Sequence, residues 1–156
     1  MDIRIENWPA TRIAYVAAKG PYNVVISQSF NVLMAYAGQK NLWSFPGAKT
    51  LAVTHDDPGS VPATDLRSEA AIVVAPDFAS DHPKVQVRTM PAGRYAVATY
   101  IGPYAGLPAA WGEVCGKLIP AAGLRNRDGE CFEIYVNDCG QVKPEDLRTD
   151  IYAPIE

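Results

Sequence analysis

The sequence predicts an α+β domain: tandem duplicated β-α-β-β half-domains with pseudo-two-fold symmetry, an antiparallel sheet, helices on one face and a ligand cleft between the halves. Three observations predict it. The chain repeats itself at about half its length. Each half alternates apolar and polar residues as strands do, and each then carries one apolar stripe of helical period.

The repeat pairs Ile3-Arg4-Ile5-Glu6-Asn7-Trp8-Pro9-Ala10-Thr11-Arg12-Ile13-Ala14 with Val85-Gln86-Val87-Arg88-Thr89-Met90-Pro91-Ala92-Gly93-Arg94-Tyr95-Ala96. In the same register, Gly20-Pro21-Tyr22 meets Gly102-Pro103-Tyr104, and one position out of it Asp65-Leu66-Arg67 meets Asp146-Leu147-Arg148. Two triplets in one order are hard to ascribe to chance. The 156 residues are read as one domain, with half-repeats at about 1–75 and 84–156 and a connector at 76–83.

In each half a short alternating strand (Ile3, Ile5; Val85, Val87) reaches a Pro-Ala bend. A longer strand rich in Tyr, Val and Ile follows, Arg12 to Lys19 and Arg94 to Ile101, and these strands are expected to pair as hairpins. Gly-Pro then ends the strand, because proline lacks the ladder N–H and suits a first helical turn. Ile26, Phe30, Leu33, Met34 and Ala37 form the first helical stripe. Leu107, Ala110, Trp111, Val114, Cys115 and Leu118 form the second. Gly38 and Gly123 are read as the helix stops. Pro108, Gly112, Gly116 and Pro120 recur at steps of four, which suggests close packing of a neighbouring element. Two strands close each half, Thr50 to Thr54 and Ala70 to Val74, then Cys131 to Val136 and Asp150 to Ile155.

Composition narrows the function classes. A net charge of −3, with no basic cluster, argues against direct nucleic-acid binding. No apolar run reaches the roughly 20 residues of a membrane span, and the N-terminus lacks a secretion-signal layout. Three cysteines without CxxC spacing read as free thiols in a reducing cytoplasm, and two distant histidines offer no zinc site. No cofactor and no metal are expected.

The motif series V-x-V-x-x-x-P-A-x-R, G-P-Y, F-E-I-Y and D-L-R-T-D-I-Y-x-P-I resembles the GyrI-like (gyrase-inhibitor-like) small-molecule-binding domain. That family supplies the effector-binding domain of AraC-type and multidrug-responsive transcription regulators. The resemblance covers the whole chain and implies the SHS2 fold, with a small-molecule ligand held between the halves. It also implies that many members bind hydrophobic, often cationic molecules, that some resemble gyrase inhibitors, and that a subset hydrolyses cyclopropane-containing genotoxins. Nothing precedes residue 3 but Met1 and Asp2, so no helix-turn-helix is expected and the domain reads as stand-alone. DNA gyrase or a transcription regulator remains as a protein partner.

Phe132-Glu133-Ile134-Tyr135-Val136-Asn137 alternates strictly. The expectation is that Phe132, Ile134 and Val136 face the helices, while Glu133, Tyr135 and Asn137 face away from them into the cleft. A carboxylate among aromatic rings suits a lipophilic cation, each ring adding about 0.5–2 kcal/mol. The resemblance makes Glu133 the ligand anchor; the first half has Ala52 and Thr54 at the matching positions. Tyr22 and Tyr104 either pack the helix starts or line the pocket. Trp111, on the apolar stripe, is either core or ligand platform, and Tyr100 and Tyr152 are further pocket candidates. Asp65 and Asp146 are expected to cap turns, with Arg67 and Arg148 outside the site. No nucleophile stands beside a base, so binding is preferred over catalysis; were the protein a hydrolase of electrophilic molecules, Glu133 would be its acid–base residue.

Overall fold

The computed structural model describes all residues from Met1 to Glu156. The chain forms two compact units, one of Met1–Pro9 with Ala92–Glu156, the other Ala10–Pro91. Its strands are β1 (Ile3–Trp8), β2 (Thr11–Lys19), β3 (Thr50–Thr54), β4 (Arg67–Val73), β5 (Gln86–Met90), β6 (Gly93–Ile101), β7 (Cys131–Tyr135) and β8 (Arg148–Pro154). The main helices are α1 (Tyr22–Gln39) and α2 (Leu107–Glu113). The α+β class is as expected.

Each unit holds a four-stranded antiparallel sheet. In the first unit β1 pairs with β6, β6 with β8 and β8 with β7. In the second β5 pairs with β2, β2 with β4 and β4 with β3. The hairpin expectation therefore fails at the Pro-Ala bends. Trp8 lies opposite Gly93 and Met90 opposite Thr11, so each short strand pairs across the repeat and not with the strand that follows it. Proline at the bend breaks the ladder just where a tight turn would have to close. The sequence repeat begins at β1 and β5; the compact units change at Pro9/Ala10 and Pro91/Ala92, before β2 and β6.

Small residues on the central strands let a helix approach the sheet closely. Ala14 and Ala70, with Val16, Ile72 and Val74, underlie Leu33, Tyr36 and Ala37 of α1. In the other unit Ala96, Ala98 and Ala153 with Ile151 underlie Leu107 and Ala110 of α2 and Val114 beyond it. Full burial of a side chain such as Leu33 contributes about 2 kcal/mol. The first stripe is rotated slightly from expectation: Leu33 and Ala37 are buried, Ile26, Phe30 and Met34 only half so.

α1 runs past Gly38 to Gln39, and the left-handed residue beyond it is Asn41, at φ 52°. The second helix changes pitch. After Glu113 the segment Val114–Leu118 is a π-helix, and Ile119–Ala121 is a last α turn before left-handed Gly123. The wider turn inserts one residue, so Ile119 follows Val114 into the core five positions on and Leu118 is left half-buried. Pro120 has no N–H to continue an ordinary ladder, which suits this break. Pro108, Gly112, Gly116 and Pro120 are exposed, and a Cβ on Gly112 or Gly116 would meet nothing within 4 Å. Close packing on that stripe is thus overturned.

The duplicated triplets are joints. Gly20 N–H donates to the Leu66 carbonyl and Gly102 N–H to that of Leu147, and both leucines are buried. Asp56 and Asn137 do the capping expected of Asp65 and Asp146: each accepts the N–H of the strand's first arginine, Arg67 or Arg148, at 2.8 Å. Gly102 sits at φ 148°, and a Cβ there would come within 2.8 Å of the Tyr100 hydroxyl. Gly102→Ala is therefore expected to cost about 2 kcal/mol in urea unfolding; a loss below about 0.5 kcal/mol would show Tyr100 moving aside at no cost.

Candidate functional site

Glu133, Tyr135, Trp111 and Tyr104 come together in the unit of Met1–Pro9 and Ala92–Glu156. Alternation along β7 puts Glu133 and Tyr135 in one row, and strand register decides which face that row occupies. Glu133 lies opposite Ile151 and Tyr135 opposite Thr149. Ile151 belongs to the core beneath α2, so the row faces the helix. This reverses the expected orientation. Phe132 and Ile134 take the other face, where Phe132 stacks on Tyr152 at 4.6 Å and meets Trp8 and Tyr95. Both faces of β7 are covered, so its apolar residues gave no direction to the helix.

α2 delivers Trp111 over Glu133, and the indole N–H donates to Oε1 at 2.6 Å. The Tyr135 hydroxyl donates to Oε2 at 2.8 Å. Tyr104, in the turn that opens α2, sets its ring edge-on to Tyr135 with centroids 5.5 Å apart. Glu133 is half-buried, and neither lysine, arginine nor histidine balances its charge. Burial pushes its carboxyl above the ordinary glutamate range; the bonds from Trp111 and Tyr135 pull it only part of the way back. Tyr135 is raised well above the usual phenol range by burial, then by the Glu133 charge, and so stays a neutral donor. Tyr104 is pushed up to about 12 by burial, then by Cys139 and Asp138 in the neighbouring loop.

Cys131 stands in the same row, pushed up to about 11 by burial and then by Cys115 beside it. The sequence reading passed over it, although the x-Cys131-x-Glu133-x-Tyr135 alternation already put it on that face. The arrangement is a carboxylate walled by two aromatic hydrogen-bond donors, fit to hold a positive charge or to exchange a proton. No three or more His, Cys, Asp or Glu side chains gather as a metal site.

The other named tyrosines are placed elsewhere. Tyr152 is on the opposite face, buried against Phe132, Trp8 and Tyr95. Tyr100 faces the helix, but its hydroxyl donates to the Pro103 carbonyl and closes the turn. Tyr22 belongs to the other unit, where its hydroxyl donates to the Asp56 carbonyl at 2.8 Å and accepts the Asp56 N–H. In that unit the structure also reveals a charged group the sequence reading missed: buried Glu69 accepts from Arg88 Nη2 at 2.8 Å and meets His55 Nε2 at 2.8 Å.

A family model described as a GyrI-like small-molecule-binding domain matches residues 1–156. The chain is similar to a protein of Serratia proteamaculans named DNA gyrase inhibitor, 33% identical over 100% of this chain and 99% of the relative. The crystal structure of the EcmrR C-terminal domain superposes with a TM-score of 0.76 at 18% identity, covering 99% of this chain and 97% of that one. SAV2435 bound to tetraphenylphosphonium superposes with a TM-score of 0.69 at 15% identity, covering 100% and 94%. No helix is long and apolar enough to cross a membrane.

Proposed function

Because the chain belongs to the GyrI-like family of small-molecule-binding domains, we propose that Glu133 anchors a hydrophobic ligand, planar or cationic, and that the protein works by holding this molecule as an effector or sequestered toxin. One observation carries the reading: the half-buried Glu133 carboxylate is held by two neutral donors and has no cation of its own. A bound cation would supply the missing charge, and the Trp111, Tyr135 and Tyr104 rings would add cation–π attraction of about 0.5–2 kcal/mol each. Tetraphenylphosphonium on SAV2435, a structural neighbour, is a ligand of this chemistry. The three cysteines form no disulfide, which suits a reducing compartment such as the cytoplasm.

The test is fluorescence titration with a planar cationic dye across pH. Only ionised Glu133 attracts the cation, and its carboxyl titrates above the ordinary range. Affinity is therefore expected to be full above that raised value and to fall as the pH drops through it, so that the fall begins above pH 4.5. A pH-independent affinity would remove Glu133 from the site. Turnover of a reactive electrophile by the wild type but not by Glu133→Gln would instead make Glu133 an acid–base residue.

The name of the Serratia relative favours a second reading, inhibition of DNA gyrase by protein contact. A supercoiling assay unaffected by saturating protein would eliminate it.

A further inference from the structure

Helix and strand meet at the Glu133 site in rungs. Tyr104 lies edge-on to Tyr135, and further along the helix Trp111 donates to Glu133. The helix thus advances from Tyr104 to Trp111 while β7 is followed backwards from Tyr135 to Glu133. The next rung is Cys115 against Cys131. Cys115 is one turn beyond Trp111, about 6 Å along the helix, and Cys131 is two strand residues before Glu133, about 7 Å in the same direction. Cys115 packs on the core beneath α2, which the Cys131 row faces. The Asn126 side-chain amide donates to the Cys115 carbonyl at 3.3 Å and ties this turn to the segment that leads into β7. The two thiols are close enough that charge on Cys115 helps to push Cys131 up.

This pair is not part of the duplicated scaffold. Leu33 and Thr50 take the matching places in the other half, a combination without thiol chemistry. Cys115 and Cys131 are both half-buried and in no disulfide, while Cys139 lies exposed in the loop after β7. The hydrogen bonds to Glu133 come from Trp111 and Tyr135, so neither thiol holds that carboxylate.

We propose that Cys115 and Cys131 are a thiol–disulfide modification site, cross-linked by a small disulfide such as oxidised glutathione, and that the bond staples the helix bearing Trp111 to the strand bearing Glu133. The Cys115 thiolate attacks the reagent and releases one small thiol; the Cys131 thiolate then attacks the mixed disulfide and releases the second. Two protein thiols are oxidised and one reagent disulfide is reduced, with no other reactant. The cross-link stands apart from the Glu133 reading; only its effect on a ligand rests on it.

The test treats the full chain carrying Cys139→Ser with oxidised glutathione at about pH 8.5, where the Cys131 thiolate is less scarce than at neutral pH. The intact mass should fall by about 2 Da, the two hydrogens lost on cross-linking. Trypsin cuts after Lys117 and Arg127 separate the two cysteines, and their peptides should remain joined until reduced. The melting temperature should rise by about 5 °C, because the bond closes a loop in the unfolded chain. A further Cys131→Ser should abolish all three changes. The cross-linked form should bind the cationic dye about fivefold or more weakly, since Trp111 is then held on Glu133 Oε1, and dithiothreitol should restore it. A mixed disulfide at Cys115 that never resolves, or no reaction at either thiol, would overturn the modification site. Unchanged dye affinity after cross-linking would overturn the staple's effect where Glu133→Gln does weaken the dye. A dye indifferent to Glu133→Gln would overturn the binding role of Glu133, and the cross-link would still stand or fall by mass and melting temperature.

Discussion

Glu133→Gln is expected to weaken a planar cationic dye at least about tenfold, equivalent to about 1.4 kcal/mol, while leaving the fold unchanged. The substitution keeps the size of the side chain and removes the charge. It also sets an amide N–H₂ against one of two donors, the Trp111 indole or the Tyr135 hydroxyl, so one existing hydrogen bond must break. The aromatic walls stay, so binding falls without vanishing. An uncharged planar molecule of the same size isolates the charge, because it should bind wild type and variant within about a factor of two to three. Both proteins should converge for the cation at low pH, where wild-type Glu133 is protonated as well. Equal dye affinity at neutral pH would end the anchoring role, and an equal loss for the uncharged molecule would show that the pocket had collapsed.

Glu133 and Tyr135 were legible because alternation over Phe132-Glu133-Ile134-Tyr135 puts two polar side chains on one face. Which face was not legible. That depended on the pairing of Glu133 with Ile151, and on Trp8, Tyr95 and Tyr152 giving Phe132 an apolar surface opposite the helix. Trp111 was visible on its helical stripe, but its bond to Glu133 joins residues 22 apart that only tertiary packing unites. The same limit explains Tyr22 and Tyr100, whose hydroxyls are committed to backbone carbonyls in turns. Pairing across the Pro-Ala bends was hidden for another reason. A strand's pattern records its buried face and not its neighbour, and the matching alternation of β1 and β5 does not say which long strand each one joins.

The group the sequence concealed most fully carries the largest stability effect expected: Glu69→Ala should cost about 3 kcal/mol or more. Glu69 is 8% exposed, and its carboxylate takes Arg88 through Nε and Nη2 on one oxygen and His55 on the other. Arg88 also lies over the Tyr15 ring at 5.5 Å, so it cannot simply swing into water without losing that contact. Removing the carboxylate leaves a half-buried guanidinium without its counter-charge, which is dearer than the net worth of the pair. Glu69→Leu combined with Arg88→Leu should therefore recover part of the loss, the signature of an ion pair as opposed to lost packing. The pH dependence gives the sign independently. Burial alone would raise the Glu69 carboxyl, but the bonds from His55 and Arg88 outweigh it and hold it below the ordinary value. A depressed carboxyl contributes stability that is fully present above its unfolded pKa of about 4.3 and is lost as the pH falls through the folded one. Urea unfolding of the wild type should thus weaken below about pH 4.3, with a shallower acid slope in Glu69→Ala, which lacks that carboxyl. A loss under about 1 kcal/mol, or an unchanged acid slope, would mean that solvent already screens this pair in the folded protein.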